Sequence, residues 1–275
     1  MILVTGATGN VGREVVKALQ NAGEPVRALV RSADARLPAG VESAVGDLNE
    51  PRTFADELAG ARGVFLLSGY EGMPALMEEA RRGGVERIVL LSGGAAVASR
   101  VDNPISQYML RSEGEVQDSG IPSTIVRPCE FMSNALRWKA QLENGDLIRA
   151  PFADVPVAVI DPHDIGAVIA TAMLSEGHSG QAYRLSGPES LLIADRVRIL
   201  GEVQGRDLRF EEQPAEEARA EMSANMPAEY VEAFFSFNVD GTLDESQVLP
   251  TVEEITGKRP GTFERWAIAH ADAFR

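Results

Sequence analysis

The chain has 275 residues, with 41 acidic against 26 basic side chains and a net charge of −15. That length suits one large domain or a domain with an appended lobe, able to fold without a disulfide or metal staple. A surface this negative repels phosphate backbones, which excludes nucleic acid as an expected partner, and no run reaches the ~18 apolar residues of a membrane span.

Ile2-Leu3-Val4 opens the chain as a short buried strand and runs straight into Thr5-Gly6. This start lacks the basic and long apolar regions of a secretion signal, and the single Cys129 fits a reducing compartment, so a cytoplasmic protein is expected. A helix follows with Val11, Val15, Ala18, Leu19 and Ala22 on one face, ended by Gly23. Val26–Val30 and Val41–Val45 read as strands, Phe54 and Leu58 mark a helix closed by Gly60, and Val64–Leu67 is a buried strand. Met73, Leu76, Met77 and Ala80 stripe the next helix before the strand Ile88–Leu91, and a helix from about Pro104 to Asp118 precedes the strand Thr124–Val126. Strands apolar on consecutive residues are covered on both faces, which predicts an α/β fold: a doubly wound parallel sheet with helices on each side.

After Pro128 the pattern loosens. Val155–Ile160, a helix over Pro162–Leu174 and the strand Ala182–Leu185 can still belong to the sheet or its flank. From Gly187 onward the chain reads as helix-rich, and Gly201–Arg275 holds 16 acidic and 7 basic residues. The expected division is a nucleotide-binding domain over 1–130, with 155–186 returning to it. A smaller lobe over 131–154 and 187–275 then covers the crevice at the carboxyl ends of the strands, where ligands sit in such folds.

The strongest local signal is Thr5-Gly6-Ala7-Thr8-Gly9-Asn10-Val11-Gly12, between a strand and an amphipathic helix. Glycine removes the Cβ that would block a pyrophosphate, and the helix start offers free N–H groups and the positive end of a dipole. Gly6, Thr8, Gly9, Asn10, Val11 and Gly12 are therefore expected to bind a dinucleotide. At the end of the second strand stands Val30-Arg31-Ser32 rather than the Asp or Glu that accepts from an adenosine ribose. A guanidinium fork matches a 2′-phosphate, so NADP(H) is expected, with Arg31 as its ligand and Ser32 as helper.

These motifs, with Gly46-Asp47-Leu48, Leu66-Leu67-Ser68, Leu91-Ser92, the run Ser119-Gly120-Ile121-Pro122 to Arg127-Pro128, Asp164-Ile165 and the ending Thr256-Gly257-Lys258-Arg259-Pro260-Gly261-Thr262-Phe263, resemble the NmrA-like atypical branch of the short-chain dehydrogenase/reductase superfamily. The resemblance covers nearly the whole chain. It implies a Rossmann domain with Asp47 and Leu48 near the adenine, Leu67, Ser68 and Gly69 beside the cofactor's ribose, and the Pro128–Phe131 segment, including Cys129 and Phe131, near the nicotinamide. Proteins of this kind divide into NAD(P)H-dependent reductases, quinone reductases among them, and redox-sensing regulators without turnover. Three lysines against 23 arginines suggest a GC-rich bacterial genome, in which relatives often serve aromatic polyketide tailoring.

Short-chain dehydrogenases generally use a Tyr followed four residues later by Lys, which places both on one helix face. Here Tyr70 is followed at that spacing by Pro74, Tyr108 by Ser112, Tyr183 by Gly187 and Tyr230 by Phe234. Tyr108 is in the right region but lacks its lysine, so a substrate-positioning hydrogen bond is expected of it rather than proton transfer. Reduction of a simple ketone develops a basic alkoxide that needs a proton donor. A quinone's reduced anion is delocalised and far less basic, so a quinone or similar flat aromatic carbonyl compound is the expected acceptor, with Ser92 as a candidate hydrogen-bond donor. Tyr70, Met73, Met132, Trp138, Phe234 and Phe235 are the expected lining of its pocket. His163, His178 and His270 show no paired ligand spacing, so no metal is expected. The alternative is a non-catalytic NADP(H)-sensing protein. A redox partner enzyme or a second copy of the chain stays open as a macromolecular partner.

Overall fold

In the computed structural model, which describes residues 1–274, seven parallel strands form one sheet in the order β3-β2-β1-β4-β5-β6-β8. In chain order the elements are β1 (Ile2–Val4), α1 (Asn10–Asn21), β2 (Val26–Val30), β3 (Glu42–Val45), α2 (Ala55–Ala59), β4 (Gly63–Leu67), α3 (Met73–Arg82), β5 (Arg87–Leu91), α4 (Pro104–Asp118) and β6 (Ser123–Pro128). There follow α5 (Lys139–Leu142), β7 (Leu147–Ala150), α6 (Pro162–Leu174), β8 (Ala182–Leu185), α7 (Ile193–Gln204), β9 (Arg209–Glu212), α8 (Ala215–Ser223), α9 (Ala228–Asn238), α10 (Thr251–Thr256) and α11 (Phe263–Ala269). The reversal of strand order at β1 and β4 opens the crevice that Rossmann sheets use for dinucleotides.

Both faces of the sheet are covered, as consecutive apolar strand residues require. On one face Val11, Val15 and Leu19 of α1 and Ile165, Val168 and Ile169 of α6 pack on Val4, Phe65 and Val89. On the other, Leu58, Leu76, Met77 and Val116 of α2, α3 and α4 pack on Leu3, Leu66 and Leu90. The helix starts are written locally. Asn103 accepts the Ser106 N–H at 2.9 Å ahead of Pro104, and Asp161 accepts the His163 N–H at 2.9 Å ahead of Pro162. Each pairs an N-cap acceptor with a proline at the first helical position, where its missing N–H is not needed.

Three features depart from the sequence reading. Val155–Ile160 forms no strand of the sheet, making only isolated bridges, Val157 to Leu191 and Ile160 to Phe131. The helix-rich lobe contains a parallel two-stranded sheet, β7 with β9. Its signal was hidden because only Ile148 of β7 is buried, while Arg149 carries ion pairs to Glu211 and Glu217. The division of the chain also shifts. Val157 and Val159 join the lobe core with Met132, Trp138, Ile148, Leu200, Phe263 and Trp266, whereas Val252 of α10 packs in the sheet core.

Close contacts without side chains hold the layers together. A Cβ on Gly166 of α6 would sit 2.8 Å from the Glu14 carbonyl carbon and 3.0 Å from the Val15 nitrogen of α1. Gly114 in α4 has no atom within 4 Å of its Cβ position. Gly166→Val should therefore lower stability by about 2 kcal/mol through overpacking, while Gly114→Ala should raise it by about 0.5–1 kcal/mol through helix propensity. Urea unfolding midpoints of the two variants test these opposite signs.

Candidate functional site: a dinucleotide crevice

The loop after β1 reaches its shape because two of its glycines stand where side chains cannot. Gly6 has φ +59° and a Cβ there would lie 2.7 Å from Leu67 Cδ1. A Cβ on Gly12 would lie 2.1 Å from the Gly6 carbonyl oxygen, so α1 can begin this close to β1 only with glycine. Gly9 is different: its Cβ position meets only the Gly6 oxygen, at 3.2 Å, so its bare side faces outward. It is the N-cap of α1 and offers no side-chain cap. The N–H groups of Asn10, Val11 and Gly12 thus lack intrahelical acceptors and point out of a helix start beside exposed Thr8 and Gly9. This is a fitting cradle for a pyrophosphate.

The surrounding charges favour an anion despite the global −15. No acidic residue lies in the first turn of α1. The nearest on the helix, Glu14, takes a hydrogen bond from His163 and an ion pair with Lys17 at 2.7 Å, which together bring its carboxyl down to about 2 against the opposing effect of burial. Arg13, which the sequence reading passed over, donates to the Thr8 carbonyl at 3.2 Å on the lip of the loop. Arg31 and Ser32 follow β2 on the surface, and Arg31 makes no ion pair with any described residue. Asp47 accepts the Asn49 N–H at 2.8 Å, and Asn49 in turn accepts the Glu71 N–H at 3.1 Å. Asn49 thereby joins the loop after β3 to the loop after β4. Leu48 packs inward in the core while Asp47 stays exposed.

Further along the crevice, β4, β5 and β6 deliver Ser68-Gly69, Ser92-Gly93-Gly94 and Cys129-Glu130-Phe131 to one edge. The Tyr108 ring lies against Gly69, 3.3 Å from where a Cβ would be. Ser112, at the position of the absent lysine, accepts the Gly69 N–H at 3.0 Å and donates to the Tyr108 carbonyl at 2.9 Å, so it ties α4 to the end of β4. Burial, aided by nearby Tyr230, pushes the Tyr108 phenol above its usual range, the opposite of what a lysine neighbour would do. Tyr108 shares a half-buried apolar cluster with Met109, Tyr230, Phe234 and Leu243, which brings Phe234 to the crevice and adds Tyr230. Asn10 also donates to Ser133 at 3.1 Å, linking the phosphate loop to the segment after Phe131.

Several expected ligand contacts are corrected. Ser92 donates its proton to Glu113 at 2.5 Å, and the buried Glu113 carboxylate takes a forked pair of hydrogen bonds from Arg127, one at 2.9 Å. Ser92 therefore fixes the end of β5 and has no proton free for an acceptor. Met73 is packed in the sheet core, and Met132 and Trp138 fill the lobe core. Phe235 is enclosed by Phe152, edge-on at 5.2 Å, and by the Arg219 guanidinium 3.9 Å over its ring. Burial drives the Cys129 thiol up to about 12, so it stays an inert packing group. Tyr70 packs at the edge of the sheet core, and Phe131 on the other face beside Leu67. A cavity of ≈ 140 Å³ bounded by Pro151, Phe152, Asp154, Glu212 and Asn238 lies at the ends of β7 and β9 and receives nothing from the seven-stranded sheet.

Fold and site together define a Rossmann protein with a dinucleotide crevice, and the comparisons with known proteins are specific. The NmrA-like family model matches residues 1–267, so the chain belongs to that family. It is 39% identical, over 100% of this chain and 99% of the relative, to a (4-alkanoyl-5-oxo-2,5-dihydrofuran-3-yl)methyl phosphate reductase from Streptomyces griseus. It is 36% identical, over 100% of this chain and 99% of the relative, to an NAD(P)H azoreductase from Xenophilus azovorans. The crystal structure of a Citrobacter triphenylmethane reductase complexed with NADP(H) shares the fold, with a TM-score of 0.79, 22% identity and coverage of 98% of this chain and 100% of that one. Among the described residues no helix is long and apolar enough to cross a membrane.

The Ser92–Glu113–Arg127 network gives a stability test of its structural role. Glu113→Ala leaves Arg127 without its partner and should lower stability by about 3 kcal/mol, and Ser92→Ala should cost about 1–3 kcal/mol, both read by urea denaturation.

Proposed function

We propose that the protein is an NADPH-dependent reductase of flat conjugated acceptors, a quinone or a similar aromatic carbonyl compound. The observation that carries this reading is the arrangement at Gly69: Tyr108 lies on the crevice floor with Ser112, not a lysine, behind it. That floor orients a planar molecule but cannot lower a phenol's pKa. It therefore suits acceptors whose reduced anion is delocalised. The 36–39% identical relatives bear names that fit such acceptors, an azo compound and an alkanoyl-oxo-dihydrofuran phosphate.

When bound, the reduced nicotinamide supplies a hydride. The chain's own residues do the rest. The N–H groups of Asn10, Val11 and Gly12 hold the pyrophosphate, with Arg13 adding charge at the lip. Arg31, with Ser32, receives the 2′-phosphate, because an unpaired guanidinium on an otherwise acidic surface has its donors free for it. Asp47 and Asn49 frame the adenine, with Leu48 packed in the core behind them, and Leu67, Ser68 and Gly69 line the ribose. Tyr108, Tyr230 and Phe234 give the acceptor an apolar wall that holds its plane and limits water.

Arg31→Asp should weaken NADPH binding about 100-fold while leaving NADH nearly unchanged, measured by quenching of intrinsic fluorescence; equal losses for both would remove the 2′-phosphate assignment. NADPH oxidation against a panel of benzoquinones, naphthoquinones, azo dyes and acyl-dihydrofuranones tests the reaction. Tight NADPH binding without turnover on any of them would replace the reductase reading with cofactor sensing. Tyr108→Phe should raise KM a few-fold with little change in kcat, as expected of a group that orients rather than transfers a proton.

A further inference from the structure

Between α9 and α10 the chain runs as an irregular strap over the carboxyl ends of β5 and β6. Its backbone is held at successive points. Ser99 N–H donates to the Thr242 carbonyl at 2.7 Å, Arg184 to the Asp244 carbonyl at 3.1 Å, Ala158 N–H to the Glu245 carbonyl at 2.7 Å, and Leu249 N–H to the Ser186 hydroxyl at 2.8 Å. These bonds deliver one side chain, Glu245, into the crevice. Its Oε2 accepts the Glu130 N–H at 3.1 Å. Its Oε1 lies 2.2 Å from the position a Gly94 Cβ would take, at the end of β5, with the Pro128 carbonyl 3.6 Å from that same point. No described group hydrogen-bonds Oε1. A carboxyl oxygen thus occupies the space that a side chain at Gly94 would fill, between the segment after β5 and the Pro128–Phe131 segment expected near the nicotinamide.

Resting on the reductase reading, we propose that Glu245 is the proton donor to the acceptor, in place of the tyrosine–lysine pair that this chain lacks. The other candidates are disqualified by their surroundings. The Tyr108 phenol is pushed up by burial, the Ser92 proton is held by Glu113, and the Cys129 thiol is pushed up to about 12. Around Glu245, Glu130 faces it from the end of β6, Arg184 from β8 and Asp244 from its own segment, with the neutral Cys129 thiol beside them. Glu130 is itself ion-paired with Arg196 at 3.1 Å and stands 3.7 Å from Arg137. Burial first, and then the Glu130 charge, push the Glu245 carboxyl up to about 7, against the pull of Arg184. A carboxyl with that value is protonated in a large fraction of molecules at neutral pH and recovers its proton readily.

The step balances as follows. The acceptor takes a hydride, two electrons and one hydrogen, from the reduced nicotinamide, and the conjugated π pair shifts onto its terminal oxygen. An O–H bond forms there as the Glu245 O–H bond breaks. The carboxylate then takes a proton from water, so each turnover consumes one proton.

The test compares wild type with Glu245→Gln, which keeps the acceptor for the Glu130 N–H but holds no transferable proton. The sign follows from the acid form being the active one: wild-type kcat/KM should hold below about pH 7 and fall above it. Glu245→Gln should lose about 100-fold in kcat and lose that limb, with NADPH affinity unchanged within two-fold. A readout without cofactor is the carboxyl titration of protein labelled with ¹³Cδ-glutamate. One glutamate should titrate near 7 in wild type, be absent in Glu245→Gln, and move in Gly94→Ala, whose new Cβ displaces Oε1. If either variant fails to fold, the wild-type titration still decides. Wild-type turnover with an unaltered Glu245→Gln, or no glutamate titrating near 7, overturns the Glu245 assignment alone. Absence of any NADPH oxidation by wild type overturns the reductase reading and the donor role with it.

Discussion

The functional face of the molecule depends on a backbone contact that admits no side chain. Gly12, the third residue of α1, lies against the carbonyl of Gly6, where a Cβ would stand only 2.1 Å away. Gly6 adopts φ +59° beneath the Leu67 side chain, so β4 also bears on the loop. Together these contacts set the first turn of α1 directly over the ends of β1 and β4. The same logic repeats behind it, where Gly166 lets α6 lie against the backbone of α1. Asp164, buried on α6, then accepts the Gly261 N–H at 2.8 Å and anchors the start of the last helical segment. Two stretches far apart in the chain, around Asp164 and around Gly261, therefore meet to buttress α1.

That geometry leaves a loop suited to an anion on an otherwise acidic protein. Charge at long range is screened by salt within about 8–10 Å, so the local field decides. Near the loop the field is made positive by the helix start, Arg13 and Arg31, and Glu14 is offset by Lys17 and His163. Much of the remaining acidity is spent in surface ion pairs such as Arg149 with Glu211 and Glu217, or faces water. Asp164, Glu113 and Glu245 are exceptions because they are drawn inward, Asp164 to the Gly261 N–H. Glu113 is matched by Arg127 and Ser92 and stiffens the crevice floor. Glu245 is not matched in this way, and an unmatched carboxyl in the crevice is suited to exchange a proton.

Most of the sheet was legible because its strands are apolar without interruption and its helices begin with Asn-Pro and Asp-Pro pairs or end at glycine. The phosphate loop was legible for the same local reason, since its glycines, strand and helix adjoin in sequence. Aromatic side chains were less so. Phe234 and Phe235 are neighbours in α9, yet one faces the Tyr108 cluster and the other is enclosed by Phe152 and Arg219. Trp138 and Met132 looked like pocket lining but fill the lobe core, because α7 and α11 fold over them. Nothing local distinguishes these cases, since each depends on what a distant helix covers. Ser112 is a related case: its identity marked a missing lysine, but its bond to the Gly69 N–H is set by how α4 lies on β4.

The sequence by itself determined the parallel sheet, the glycine loop before α1, the guanidinium after β2 and the absence of a tyrosine–lysine pair, all of which are encoded within a few consecutive residues or one helical turn. Only the tertiary structure decided which serine is already hydrogen-bonded, which aromatics are core, and where the carboxyl of Glu245 comes to rest. In the sequence Glu245 is one acid among many in an acidic region. Its character arises because a strap of chain more than a hundred residues beyond β6 is fastened across the strand ends. That fastening half-buries Glu245 and sets its carboxyl beside Gly94 and Glu130. Burial and charge proximity are properties of three-dimensional neighbours, so chemistry that rests on them is absent from any local pattern.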